Sequence, residues 1–143
     1  MIDEQNGSPL RSATITRMRF ARIVFYVAFA WGILVLTPLY FMFDVIGQKD
    51  PPPITHPGFY YGFLSAGLAW QFAFLVIARD PARFRLMMLP SILEKFGYAA
   101  SLIVLHLQQR LHGSDLVFAG IDGLFGILFI LALVRTRPAM LPS

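Results

Sequence analysis

Six side chains in or beside the long apolar stretches of this sequence are candidates to carry chemistry: Gln71, Glu94, Lys95, Tyr98, His106 and Asp122. A charge at the centre of a bilayer costs between about 3 and about 10 kcal/mol or more, so each one needs a partner or a purpose. Ser91, Glu94, Tyr98 and Ser101 recur at spacings of three, four and three, which sets them on one helix face. That face is expected to point into a bundle, because lipid satisfies none of these groups. Lys95 lies about 100° round the same helix. From there it reaches either another helix or, by snorkelling, the headgroups. Glu94 and Lys95 are therefore read in two ways, as structural pairs near an interface or as a polar site centred on Glu94.

Asp122 is the one charge in an apolar stretch of its own, flanked by Ala119, Gly120, Gly123 and Gly126. Small residues let helices approach closely, so this side is expected to pack inward and to carry Asp122 with it. At that depth Asp122 meets either Tyr98, as a neutral hydrogen-bonding group, or Lys95, as an ion pair. A clasp between two helices and a ligand site remain equal readings. Gln71 follows Trp70 beside a stripe of small residues, Gly62, Ala66, Ala69 and Ala73, suited to close packing. It is a third polar contributor or a plain interhelical bond. Glu94, Tyr98, Asp122, Gln71 and Lys95 make up the candidate ligand-binding set, and no catalytic residue is assigned.

The chemistry these residues exclude is broader than the chemistry they suggest. There is no cysteine, hence no disulfide, thiolate zinc site or CxxC redox centre. His56 and His112 belong to connections, and only His106 reaches the edge of an apolar stretch, so neither a metal nor a haem is expected. A bis-His arrangement of His56 with His106 is the one exception worth testing. Walker, GxGxxG, HExxH and GxSxG signatures are missing, and no nucleic-acid module is present. No cofactor is predicted, although a quinone or a lipid would suit an apolar pocket.

The elements that must position these groups are transmembrane helices. Of 143 residues 57% are hydrophobic and only 14% charged, where a soluble domain carries about 25% charge. Mean hydropathy is +0.63. The apolar residues come in blocks long enough to cross a bilayer. Spans are predicted at about 20–43, 58–78, 86–107 and 116–134, within a bundle covering 20–137. A polar and basic segment, 1–19, precedes it and a short tail, 138–143, follows. The run from Phe20 to Phe43 is too long for a signal peptide and has no small-x-small cleavage site, so it reads as an uncleaved span. Pro38 is expected to kink it. The connection DVIGQKDPPPITHPG is stiffened by Pro51, Pro52 and Pro53. Gly113 reads as the stop of span three, with Ser114 or Asp115 as the next cap. The start of span three lies between Leu86 and Pro90, which decides how deeply Glu94 is buried.

Orientation follows from the cations outside the spans. Arg11, Arg17, Arg19, Arg22, Arg79, Arg83, Arg85, Arg135 and Arg137 fall on one side, against Lys49 and Arg110 on the other. Nine against two predicts that both termini are cytoplasmic. The fold expected is an all-α integral membrane four-helix bundle, N-in/C-in, in an inner (plasma) membrane. The polar or small faces of spans two, three and four are expected to meet, with span one as a packing wall.

The stretches LAWQFAFLVIARDPARFR, MLPSILEKFGY and AGIDGLFGILFILALVRT resemble small bacterial four-helix membrane proteins of the DoxX-like kind. The likeness covers about half the chain, and the first span lacks the Arg-plus-Gly pattern of that group. The resemblance implies this architecture, and for a few such proteins a role as membrane partner of quinone-linked oxidoreductases. Two functions are carried forward. One is a non-enzymatic helper subunit or apolar-ligand bundle; the other is a proton-coupled carrier or membrane enzyme using Glu94 or Asp122. Partners are the lipid bilayer and a homodimer or larger membrane complex, with no nucleic acid.

Overall fold

Runs of Leu, Ile, Val, Phe and Ala with few interior breakers form helices wherever the backbone must satisfy its own hydrogen bonds. The computed structural model of the chain describes residues 9–49 and 53–136. Pro51, Pro52, Arg137 and the tail 138–143 fall outside them. Among the described residues five α-helices follow one another: α1 (Pro9–Leu39), α2 (Phe43–Lys49), α3 (Pro57–Arg79), α4 (Met88–Leu107) and α5 (Leu116–Arg135). Four of them are long and apolar enough to cross a membrane, over 15–39, 57–79, 85–107 and 113–135.

The surface of the bundle is itself apolar. Phe41 is 84% exposed and Phe59 80%, and Leu34, Leu86, Leu93 and Leu107 are nearly as open. Buried polar groups include Gln71, Ser91, Lys95, Asp122 and Thr136. A water-soluble domain has the reverse distribution. This surface suits hydrocarbon.

Two local departures from the expected elements have clear causes. Span one does not continue to Phe43 with a kink at Pro38. Pro38 has no N–H for the carbonyl one turn back, and the helix ends one residue later. Tyr40, Phe41 and Met42 then donate to the carbonyls of Thr37, Pro38 and Leu39 as a tight turn. Phe43 opens α2, so part of the expected loop is helical. The turn after α4 also differs. The chain reverses at Gln109, whose φ of 58° is left-handed, rather than at Gly113. Arg110 N–H donates to Leu105 O and Gln109 N–H to His106 O, both at 2.9 Å, which satisfies two end carbonyls of α4. Gly113 instead starts a 3₁₀ turn leading into α5, and Asp115 precedes α5 without a side-chain capping bond.

The helices alternate in direction, and their arginine-bearing ends gather together. The Arg135 guanidinium lies 4.3 Å over the Phe20 ring, and Arg85 Nε donates to Leu133 O at 3.2 Å. This half of the bundle is filled by aromatic rings. Phe25 stacks on Phe129 at 4.2 Å, and Phe74 meets Phe129 edge-on at 5.1 Å. Ala21, Ala28, Ile77, Ala78, Met88 and Ala132 close the packing around them. At the other end Tyr60 donates to Leu39 O at 2.7 Å, and Tyr40 and Ser65 share a 2.6 Å hydrogen bond. Phe43 packs on Tyr60 and Tyr61, tying α2 to the start of α3. In the ring of helices α1 packs on α3 and α5, and α4 packs on α5, whereas α3 and α4 touch little.

Gln109 bears a side chain at a position that favours glycine, a penalty on the order of 1 kcal/mol. Gln109→Gly is therefore expected to raise unfolding stability in detergent by about 0.5–1 kcal/mol. A denaturant titration against the wild type measures this, and a fall in stability would contradict the backbone assignment.

Candidate functional site

The weak α3–α4 contact leaves a space inside the bundle, and the site is built around it. On α4 the buried face is Met88, Ser91, Lys95, Ala99 and Leu102. This face is turned by one residue from the expected Ser91–Glu94–Tyr98–Ser101 row. Ser91 is buried and donates to Met87 O, whereas Ser101 is exposed and donates to Gly97 O. The turn has an electrostatic and steric cause. Lys95 needs an anion and small neighbours, and Ala99, packed with Ala119, lets α5 come close enough to supply both.

Asp122 supplies the anion. Lys95 Nζ lies 3.2 Å from Asp122 Oδ2 and 3.3 Å from Oδ1. Glu94 completes the group, with Oε2 3.3 Å and Oε1 3.4 Å from the same nitrogen. Below the ammonium, on the arginine-bearing side, the Phe74 ring lies 5.5 Å away. Lys95 thus reaches across to another helix, one of its two expected routes. Asp122 pairs with Lys95 and not with Tyr98, whose ring instead stacks on Phe63 at 6.0 Å.

Glu94 is the most open of the three, its side chain 22% exposed against 12% for Asp122 and 8% for Lys95. It stands where α4 turns from α5 toward α3. Its Oε2 is buried and, although near Lys95, accepts no hydrogen bond. Gln71 is 2% exposed and donates from Nε2 to Gly67 O at 2.9 Å, one turn back on its own helix. Its Oε1 is also buried and accepts no hydrogen bond.

A cavity of about 380 Å³ brings these groups together. Gln71, Glu94, Lys95, Tyr98 and Asp122 all line it. Apolar walls come from Trp31, Val35, Leu36 and Leu39 of α1, from Phe63, Ala66 and Trp70 of α3, and from Phe118 of α5. The aromatic packing of Phe25, Phe74 and Phe129 lies beyond the polar floor, and the cavity extends away from it toward Leu39 and Phe118.

Four sequence expectations need correction against this geometry. The stripe Gly62–Ala66–Ala69 is exposed, and nothing lies within 4 Å of a Cβ added at Gly62. The packed face of α3 is instead Leu64, Gln71, Phe74 and Ala78, because Gln71 and the rings must leave lipid. On α5, Ala119 and Gly126 pack inward with Asp122, but Gly120 is exposed. The polar faces of spans two and three border the cavity and meet only narrowly, where Tyr98 stacks on Phe63 and Lys95 stands over Phe74. The first span is also more than a wall, since it contributes Gly32. A Cβ there would fall on the Gln71 side chain. The signal was a lone glycine inside an apolar helix beside Trp31, a mark of close approach. Trp70 was likewise passed over as an ordinary apolar residue.

The histidines stand apart from this site. His106 Nδ1–H donates to Leu111 O at 3.2 Å, and His56 Nδ1 bonds Thr55 Oγ1 at 2.8 Å. Among the described residues no group of three His, Asp or Glu is placed to hold a metal ion. No family model, no curated protein and no solved structure matches this chain.

Removing one member of a buried charge pair strands the other, at a cost of about 3–5 kcal/mol, whereas replacing both with apolar groups costs less. Asp122→Leu is expected to lower stability in detergent by about 3 kcal/mol. Lys95→Met with Asp122→Leu should recover at least about 1 kcal/mol of that loss. Strictly additive losses would mean that the pair carries no coupling.

Proposed function

We propose that this chain is a multi-pass membrane protein with both ends cytoplasmic, and that it holds an apolar ligand between its four spans as a non-enzymatic binding or helper subunit. The observation that carries the reading is the cavity itself. Its walls are aromatic and aliphatic, and a few polar groups converge at one end, which is the composition of small-molecule sites. At about 380 Å³ it falls at the small end of the usual range of about 300–1,000 Å³. That volume suits a quinone ring or the head and upper chain of a lipid. The DoxX-like sequence cues point toward the same role, in partnership with a larger membrane complex or a second copy of this chain.

A second reading is a proton-coupled carrier or a membrane enzyme using Glu94 or Asp122. One specific observation favours it: two carboxylates share a single ammonium, so the group has room for one more proton.

The only two tryptophans, Trp31 and Trp70, both line the cavity, so their emission reports on it directly. In nanodiscs of digalactosyldiacylglycerol, decylbenzoquinone and brominated lipids are expected to quench this emission saturably. Ala66→Phe, which puts a ring into the cavity, should leave only the linear quenching of probe dissolved in lipid. Linear quenching in the wild type as well would remove the pocket reading.

Topology is open to a separate measurement, because the chain contains no cysteine. A single cysteine at Ser8 is expected to resist an impermeant maleimide in intact cells, whereas one at Thr55 should react. The reverse pattern would turn the protein over in the membrane.

A further inference from the structure

The two fully buried side-chain atoms on the cavity floor that lack a hydrogen-bond partner are both acceptors. Glu94 Oε2 and Gln71 Oε1 accept no hydrogen bond, and the one strong donor, Lys95, is already committed to Asp122 and Glu94. The charge count leans the same way, with two carboxylates against one ammonium. Of the three charged side chains, Glu94 is the most open and Lys95 the least. Glu94 is thus the charged side chain of the lining that is least enclosed by the protein. A ligand there also meets ring faces, since Tyr98 lies one helical turn from Glu94 and stacks on Phe63, with Trp31 and Trp70 in the same lining.

We infer that the cavity takes an amphipathic cation, with an ammonium-type head against Glu94 and the Tyr98 and Phe63 rings and an apolar body among the aliphatic walls. A cation supplies the missing positive charge, and aromatic faces attract it most strongly when it is desolvated. A quinone head fits the apolar walls but brings only carbonyl acceptors, so it answers neither the charge nor the two buried oxygens. An alkyl carboxylate would add a third negative charge. The inference rests on the pocket reading and narrows the ligand to one charge class. The head has two sources, a free amphiphilic amine or quaternary ammonium and the choline group of a membrane lipid.

The test uses one bromine-quenching tail carried by three heads, as ω-bromoundecylammonium, ω-bromoundecanol and ω-bromoundecanoate. Each is titrated against Trp31 and Trp70 emission of the full chain in digalactosyldiacylglycerol nanodiscs, which present no ammonium. The cation should quench saturably and at least about tenfold more tightly than the alcohol or the acid. Glu94→Gln should erase most of that preference, bringing the affinity for the cation close to that for the alcohol. The comparison of heads on the wild type stands even if that variant fails to fold.

Equal saturable quenching by all three heads, or tighter binding of the acid, would overturn the cation assignment and leave the pocket standing. An absence of saturable quenching by any head, with Ala66→Phe indistinguishable from wild type, would remove both. Repeating the titration in phosphatidylcholine discs separates the sources. Weakened binding of the cation identifies the lipid choline as its competitor, and unchanged binding identifies a free cation; either result supports the assignment.

Discussion

An ammonium group inside hydrocarbon must be surrounded, and the arrangement of this bundle follows from how Lys95 meets that demand. Asp122 lies on one side of it, Glu94 on another and the Phe74 ring beneath. To bring these three groups from three helices to one nitrogen, α4 must turn its Lys95 face onto α5. That turn leaves Glu94 on the flank toward α3. The helix pair α4–α5 is consequently close, and α3–α4 is not. A cavity between them is what remains. The polar centre and the pocket are one consequence of the same constraint, so neither is separately adjustable.

The two halves of the bundle solve different problems. On the arginine-bearing side, Phe25, Phe74 and Phe129 interlock with small and aliphatic residues, and association there rests on van der Waals packing, since lipid is as apolar as the side chains. On the other side, large residues line a space instead of filling it. Gly32 illustrates how local the balance is. Its missing Cβ gives the Gln71 side chain a seat between α1 and α3, and the amide oxygen is buried there without a donor. A buried polar atom left unpaired costs about 1–3 kcal/mol. The packing around Gln71 offsets that cost, and a bound donor would remove it.

Two carboxylates around one ammonium give the site its chemical character. Asp122 is held with both oxygens on Lys95, which suits a fixed counter-ion. Glu94 is less enclosed and less completely bonded, which suits exchange with whatever enters. Adjacent residues on one helix thereby carry different roles: Lys95 organises the bundle, and Glu94 faces the cavity. A three-group centre with one half-buried carboxylate offers the same electrostatics to a cation and to a proton, and apolar walls border it.

The sequence by itself determined that the chain forms four long apolar helices, because block length and low charge answer directly to bilayer thickness and to the backbone's need for internal hydrogen bonds. It also singled out Gln71, Glu94, Lys95, Tyr98 and Asp122, because polar groups in apolar runs are costly and therefore few. Helix ends were less legible. Pro38 signals a disturbance, but whether it kinks or stops a helix depends on Tyr60 and Phe43 packing around the turn, and Gln109 reverses the chain without the glycine that would have announced it. Only the tertiary structure decided which face of each helix turns inward. On α4 the row through Lys95 and the row through Glu94 are both partly polar, and periodicity cannot rank them. The choice belongs to Asp122, which is close in sequence to neither. Gly32 and Trp31 enter the site for the same reason: their significance lies in a residue on another helix, and pairings between helices are distances that a linear pattern does not contain.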